Sequence, residues 1–360
     1  MPVTSGAVAP AFMAEIAARV DARMSTLLAP DLERWSAVDP DLAPPLESLH
    51  RVLLAGGKRL RPVFCYWAFV GMGGDPADTR VVDAGAALEL LHTFAVIHDD
   101  VMDASIRRHG TETIHTEFAR MHEQAGWRGE ARRFGEGVAI LMGDLAFVYS
   151  EMLLRGAPPE VWEVFDQLRL EVNVGQYLDL LGTARANASP ALARRICRYK
   201  SAKYTIERPL HLGAAMWAPQ RLHEVAPAFT LYGLPLGEAF QLRDDILGTF
   251  GDPDVTGKEV GDDLREGKPT LLYALARQRA TGEAADLLAR RYGSTDLTDG
   301  EVEAMQRVFE ATEARSDVEA TIEQLVDECL AAASSDQLPI TDDARQALTG
   351  LARFVAGRNY

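Results

Sequence analysis

The sequence predicts an all-α fold, and three observations predict it. Alanine, leucine and arginine dominate, clusters of β-branched residues are few, and long segments carry apolar residues at the helical period. No run alternates as a strand would, and no repeat of fixed period occurs. With 360 residues, 47% of them apolar and 25% charged, the chain can bury a substantial core as one large domain.

The elements follow one another with helix punctuation between them. A first helix is expected over 11–28, and "DPDLAPP" at 39–45 closes that part. Residues 1–45 therefore read as an N-terminal helix plus linker, and 46–360 as the main domain. Helices over 46–54 and 78–103 come next, the second entered through "GMGGDPADT" at 71–79. Residues 120–136, RMHEQAGWRGEARRFGE, are polar and contain glycine, which predicts a surface loop. Helices over 137–155 and 159–185 flank "GAPP", and "NASP" at 187–190 opens another over 190–206. The remaining periodic segments are 223–249, 269–279 and 301–332.

The totals narrow the function. A net charge of -16 argues against a nucleic-acid partner, which needs a basic face to displace counterions. Cys65, Cys197 and Cys329 are odd in number and lack metal-ligand spacing, so a cytoplasmic protein without disulfides is expected. The N-terminus shows no basic start followed by an apolar run, hence no signal peptide. No stretch of 18 apolar residues occurs, so no membrane span is expected. The chain has five lysines (Lys58, Lys200, Lys203, Lys258 and Lys268) against 32 arginines. Against that bias, a lysine marks a place where a compact three-donor charge is wanted.

"VIHDDVMDASIRRHGTETIH" at 96–115 carries the first chemistry. On a helix Asp99 and Asp103 share one stripe, with Asp100 beside them. Three carboxylates so close repel one another unless a cation sits among them. A solvated acidic helix end is the plain alternative, but the apolar run AGAALELLHTFAVI just upstream implies burial up to the cluster. A hard ion such as Mg²⁺, shared with a substrate phosphate, suits these residues. A second apolar helix ends in Asp244 and Asp245, then releases into a loop with Asp252, Asp254, Lys258, Asp262, Asp263 and Lys268. An EF-hand is disfavoured there, because Pro253 lies inside and the twelfth position is Asp263 rather than glutamate. Lysines interleaved with carboxylates fit a metal-bridged phosphate better. "GGKRLRP" at 56–62 sets Lys58, Arg59 and Arg61 after two glycines, either to cradle a phosphate or to offset a helix dipole. "RYKSAKYT" at 198–205, with Lys200 and Lys203, is equally open to both readings.

Taken together, these motifs resemble the trans-polyprenyl (isoprenyl) diphosphate synthases, most closely the geranylgeranyl diphosphate synthases. Asp99-Asp100-Val-Met-Asp103 matches the first aspartate-rich motif, and Gly-Glu-Ala-Phe-Gln241-Leu-Arg-Asp244-Asp245 the second. GGKRLRP, Lys200-Ser201, GQYLDL at 175–180 and GKEVGDDLREGKPT at 257–270 agree in order and spacing, over roughly residues 46 to 280. The resemblance implies an isoprenoid-synthase fold, a large helical bundle around a central cavity, usually as a homodimer. It implies head-to-tail condensation of an allylic diphosphate with isopentenyl diphosphate, dependent on Mg²⁺, with three ions per site. Carried over by motif, Asp99, Asp103 and Asp244 hold the metals, with Asp100 and Asp245 in support. Arg108, Lys200, Gln241 and Lys258 contact the allylic diphosphate, and Lys268 closes the site. Lys58, Arg61 and His92 grip isopentenyl diphosphate, and Gln176 and Asp179 face the same cavity.

Two departures stand out. The family usually follows its first aspartates with Arg-Arg-Gly. Aligning on Gly110 and Thr113 puts Arg108 and His109 at the arginine positions, with His109 serving isopentenyl diphosphate; a one-residue slip keeps Arg107-Arg108 instead. Gly248 stands where a third aspartate is common, and Asp252 or Asp262 is expected to compensate through water. For product length, Phe94 lies five residues before Asp99 and Ala95 four before, a pattern similar to makers of C20 geranylgeranyl diphosphate. A class I terpene cyclase and a non-catalytic prenyl-diphosphate-binding partner subunit are the alternatives. Asp244-Asp245 with GGKRLRP counts against the first, and the retention of so many ligands against the second.

Overall fold

The computed structural model describes residues 9–108, 110–186, 189–251 and 261–357. His109, Asp252, Asp254 and Lys258 lie outside the described residues. The expected all-α architecture is what is seen. The first half holds α1 (Ala11–Val38), α2 (Ala43–Leu54), α3 (Leu60–Gly71), α4 (Thr79–Met102), α5 (Ile114–Ala125), α6 (Ala131–Leu153) and α7 (Pro159–Ala184). The second half holds α8 (Pro190–Ile196), a π-helical stretch (Cys197–Glu207), α9 (Arg208–Trp217), α10 (Leu222–Phe250) and α11 (Asp262–Glu266). It closes with α12 (Leu271–Arg279), α13 (Gly282–Arg291), α14 (Asp299–Ala311), α15 (Ala314–Ser334) and α16 (Asp342–Ala356). The one sheet among the described residues is a hairpin of β1 (Arg107–Arg108) and β2 (Thr111–Glu112), Arg108 opposite Thr111.

Helix α4 is the axis. It packs on α6, α3, α1 and α9, and the consecutive residues Ala84, Gly85, Ala86, Ala87, Leu88, Glu89, Leu90 and Leu91 are all buried, so every side of it is covered there. A helix apolar all round belongs in a core. By length and composition α4 alone among the described helices could cross a membrane, although it lacks 18 consecutive apolar residues; most of it is buried inside the protein. A second core joins α10 to the C-terminal helices through Leu242, Ile246, Leu272, Met305 and Phe309.

Several boundaries differ from the sequence reading. Residues 120–136 are not a loop, because α5 and α6 run through them with a break only at 126–130. Ile114, Phe118 and His122 recur every fourth residue and bury one face of α5. Gly135 is a crossing glycine: a Cβ there would stand 2.0 Å from the His115 carbonyl oxygen, so its lack of side chain lets α5 and α6 touch. The linker expected after residue 28 is a continuation of α1 to Val38, fastened where Tyr149 donates to Asp31 at 2.9 Å. The expected 301–332 helix is two, α14 and α15, parted at Glu313 in the left-handed region (φ 59°). Helix α3 is an addition to the expected elements: Leu60, Val63, Phe64, Cys65, Ala68 and Phe69 bury it on nearly every side, leaving no period to read.

Candidate active site

Helices α4, α7 and α10, the π-helical stretch, the loop before α3 and the strap at 261–270 enclose one cavity of about 700 Å³. The local sequence explains the approach. Gly175 of α7 and Gly237 of α10 sit on opposite flanks of the π-helical stretch. A Cβ on the first would stand 2.3 Å from the Lys200 nitrogen, and one on the second 2.5 Å from the Ala202 oxygen. The wider π turn is thus clamped between two glycines, a placement frequent at functional sites.

At the end of α4, Asp99 and Asp103 stand one turn apart, as expected. Asp99 accepts from Gln176 at 2.8 Å and from Lys200 at 3.2 Å; Lys200 also donates to Asp179 at 2.5 Å. Asp100 turns away into a buried pair with Arg108, whose Nε donates to it at 2.7 Å, while the same guanidinium lies 3.7 Å from Asp99. Across the cavity, α10 brings Asp244 and Asp245 to the wall, with Gln241 donating to Asp245 at 2.8 Å. Lys268 joins the two sides, 3.9 Å from Asp103 and 3.5 Å from Asp263, and also pairs with Glu266.

Electrostatics follow from this crowding. Burial alone would raise Asp99, but Lys200, Lys268 and Arg108 together hold it below its usual range. Burial and the neighbouring Asp99 push Asp103 up to about 7, and burial with Asp263 pushes Asp245 up to about 8. Lys200 and Arg108 stay charged despite burial because aspartates surround them. Asp103 Oδ2 is buried without a hydrogen-bond partner. Burial and mutual repulsion are what raise these carboxylates, and a hard divalent cation among them would relieve both. Among the described residues no three such groups converge closely enough to hold a metal alone, so an ion here needs further oxygens, such as those of a diphosphate.

The other end of the cavity gathers cations. Arg61 stacks 4.3 Å over the Tyr204 ring and donates to Thr205 at 3.1 Å, and His92 Nδ1 lies 3.1 Å from the Tyr204 hydroxyl. Lys58 also lines the cavity, its ammonium 5.6 Å over the Phe354 ring. Arg59 is different: buried and left-handed (φ 46°), it bonds Glu89 at 2.8 Å, Asp21 at 2.9 Å and the Leu53 carbonyl at 2.7 Å. It braces the loop instead of facing an anion. Arg108 lines the cavity while Arg107 is exposed, which favours the alignment on Gly110. Phe94 and Ala95 line the wall below Asp99; the Phe94 ring meets His98 at 4.6 Å and Phe147 at 5.1 Å. Tyr204, Thr205, Glu89 and Asp263 line the same cavity and were not assigned from sequence. Tyr204 had a signal, four residues beyond Lys200 in RYKSAKYT.

The model of the family described as polyprenyl synthetase matches residues 44–309. The chain belongs to this family. Its members and relatives are isoprenyl diphosphate synthases, so the protein is a prenyltransferase. Among curated relatives, a short chain isoprenyl diphosphate synthase of Methanothermobacter thermautotrophicus is 32% identical over 88% of this chain and 90% of its own. A geranylfarnesyl diphosphate synthase of Aeropyrum pernix is 32% identical over 69% of this chain and 76% of its own. The solved geranylgeranyl pyrophosphate synthase of Corynebacterium glutamicum, complexed with isoprenyl diphosphate and magnesium, superposes with a TM-score of 0.85. It is 36% identical, covering 94% of this chain and 98% of that one. Relatives making different chain lengths surround this synthase, so product length rests on its own cavity.

Proposed function

We propose that this synthase condenses an allylic diphosphate with isopentenyl diphosphate in a Mg²⁺-dependent reaction and releases C20 geranylgeranyl diphosphate. One observation carries the reading: Asp99 and Asp244, 145 positions apart, line a single cavity with cations at both ends. Asp99, Asp103 and Asp244 are assigned as metal ligands, with Asp100 orienting Arg108 and Asp245 backing Asp244. Lys200, Arg108, Gln241, Lys258 and Lys268 are assigned to the allylic diphosphate. Lys58, Arg61, His92 and His109 are assigned to isopentenyl diphosphate, with Tyr204 fixing the planes of Arg61 and His92. Gln176 and Asp179 orient Asp99 and Lys200.

Magnesium, when bound, neutralises charge that collects on the departing diphosphate. Lys200 and Arg108 place fixed positive charge where that oxygen develops, with no reorganisation during the reaction. The allylic C–O bond breaks with its electron pair leaving on the diphosphate. The isopentenyl double bond provides the pair for the new C–C bond, and the released diphosphate accepts the proton lost from the adjacent carbon. The apolar walls below Asp99, including Phe94, Ala95 and Val172, keep water from the cation. Phe94 sets the floor.

A homodimer is part of the proposal. Leu141 and Val148 on α6 and Leu170, Val174 and Tyr177 on α7 are exposed at helical spacing, on helices tied by Arg169 and Glu151. Such apolar stripes mark subunit contacts. A cytoplasmic setting suits the three cysteines, all buried and free. Residues 46–360 are taken as the catalytic unit, with 1–45 bracing it through Asp21. The test is chromatography of products from labelled isopentenyl diphosphate with C5, C10 and C15 primers, with and without Mg²⁺. A C20 product only with Mg²⁺ is expected; no condensation, or a dominant product longer than C20, contradicts the assignment.

A further inference from the structure

Lys200 and Lys203 look alike in RYKSAKYT, and the fold sends them to opposite faces of the π-helical stretch. Lys200, Ser201, Tyr204 and Thr205 line the cavity. Lys203 and Glu207, one turn apart, are not among the lining residues; they turn the other way, into a buried ionic cluster shared with α7, α9 and α10. The Lys203 ammonium lies 3.1 Å from Glu171 of α7, 3.1 Å from Glu207 and 5.8 Å from the centre of the Tyr199 ring. Arg208, at the start of α9, forks onto both oxygens of Glu171 at 2.7 Å, and Thr230 of α10 donates to Glu207 at 2.8 Å.

The cluster is balanced. Two carboxylates, Glu171 and Glu207, 7% and 2% exposed, face the two cations Lys203 and Arg208. Burial alone would raise Glu171, yet Arg208, Gln167 and Lys203 together hold it below its usual range. His211 completes the cluster as a neutral ring, with Nδ1 3.1 Å from the Arg208 guanidinium and Nε2 3.1 Å from the Ala226 carbonyl. The condensation uses none of these groups, and a buried ion pair adds little net stability because desolvation offsets its attraction. What such a pair can supply is one defined geometry. The stretch that carries Lys203 needs one, because turns bonded i→i+5 are rare and concentrate at functional sites. Relaxing part of it to α turns would rotate the later residues against the earlier ones and swing Lys200 and Tyr204 off their partners. Gly175 and Gly237 let the neighbouring helices come close, but they have no side chain with which to fix a rotation. The ionic cluster has them.

We infer that Glu171, Lys203 and Glu207 fix the rotational register of the π-helical stretch, and that Lys203 is a positioning residue acting through Lys200. Held from behind, the stretch aims Lys200 at Asp99 and Asp179, and Tyr204 at Arg61 and His92. The inference rests on the proposed role of Lys200 at the allylic diphosphate. It predicts a variant that is as stable as wild type and yet slow. Replacing Lys203 and Glu207 together by methionine leaves Glu171 and Arg208 as a balanced pair and keeps the space filled, while the register is no longer fixed.

The test is a mutant cycle, read as kcat/KM for the C15 allylic diphosphate at saturating labelled isopentenyl diphosphate, with thermal unfolding and amide hydrogen exchange beside it. Lys203→Met/Glu207→Met should unfold close to the wild-type temperature and exchange faster across residues 197–207. It should lose about 10- to 100-fold in kcat/KM, the order that a slightly misplaced reacting group costs. In a Lys200→Ala background the same pair of substitutions should cost less than about three-fold, because residues that act through one another are not additive. A folded Lys203→Met/Glu207→Met with wild-type kcat/KM, or one whose loss is undiminished when Lys200 is absent, overturns the inference. If that variant does not fold, Glu171→Gln, which keeps the shape and removes one charge, is taken through the same cycle with the same two criteria. A loss of less than about ten-fold in Lys200→Ala alone would instead count against the proposed function itself, so the two failures are distinct.

Discussion

Replacing Phe94 with alanine should lengthen the product by a limited amount, and the structure sets that limit. The ring stands in the cavity wall below Asp99, with Phe147 of α6 behind it at 5.1 Å and His98 beside it at 4.6 Å. Removing it opens space only as far as the Phe147 ring, which is held by the Arg169 guanidinium 5.0 Å above it. One further isoprene unit brings five carbons; at about 0.8 kcal/mol per buried CH₂ its seating is favoured by up to about 4 kcal/mol. That corresponds to nearly a thousand-fold in partitioning between stopping and extending. Phe94 is only half-buried, so the stability loss should stay below the roughly 3–5 kcal/mol of a full Phe→Ala cavity. The assay is chromatography of dephosphorylated products from labelled isopentenyl diphosphate. Phe94→Ala should shift the main product from C20 to C25, and Phe94→Ala/Phe147→Ala beyond it. An unchanged product from Phe94→Ala removes Phe94 as the floor, and open-ended extension by the single variant removes Phe147 as the next barrier.

Three further outcomes follow from named contacts. Lys200→Ala should lower kcat/KM for the allylic diphosphate by about 10²–10³, the usual effect of one preorganised donor, and a smaller loss than ten-fold would deny Lys200 that role. His211 is buried and burial holds its imidazole down to about 4, from an ordinary 6.5. The unfolded chain then binds the proton first, so stability is full above about pH 6.5 and falls by up to about 3 kcal/mol toward pH 4. Urea titrations across that window should show the slope in wild type and a flatter one in His211→Gln. Arg59→Met should destabilise by about 3–5 kcal/mol, because Glu89 is left charged and buried. Arg59→Met/Glu89→Met should be milder, and equal losses in thermal unfolding would refute the pairing.

What the sequence made legible tracks periodicity and charge. Helices α4, α7 and α10 were readable from long apolar runs. In α4 and α10 those runs deliver aspartates, and burying a charged tip is costly unless something pairs with it. The α5–α6 turn looks longer in sequence than it is, because Gly135 resembles a loop residue. Its use is a close helix crossing that only a three-dimensional neighbour reveals. Arg59 and Arg61 look alike in GGKRLRP, yet one bonds Asp21 and Glu89 far away in sequence while the other lies over Tyr204. The approach of Asp263 to Gly248, where a Cβ would stand 2.3 Å from its Oδ2, was hidden for the same reason. Sequence shows a glycine where an acid is common, and only the fold shows which of several nearby aspartates enters its space.

The central claim is that Asp99 and Asp103 on one side, and Asp244 on the other, hold divalent ions around a shared diphosphate. It is tested most directly by a crystal structure with Mg²⁺ and an allylic thiolodiphosphate that cannot ionise readily. Magnesium ions contacted by the carboxylates of both helices, with the diphosphate between them and the prenyl tail pointing toward Phe94, are expected. A diphosphate bound without metal, or metal held by one aspartate cluster while the other stays empty, would contradict the account.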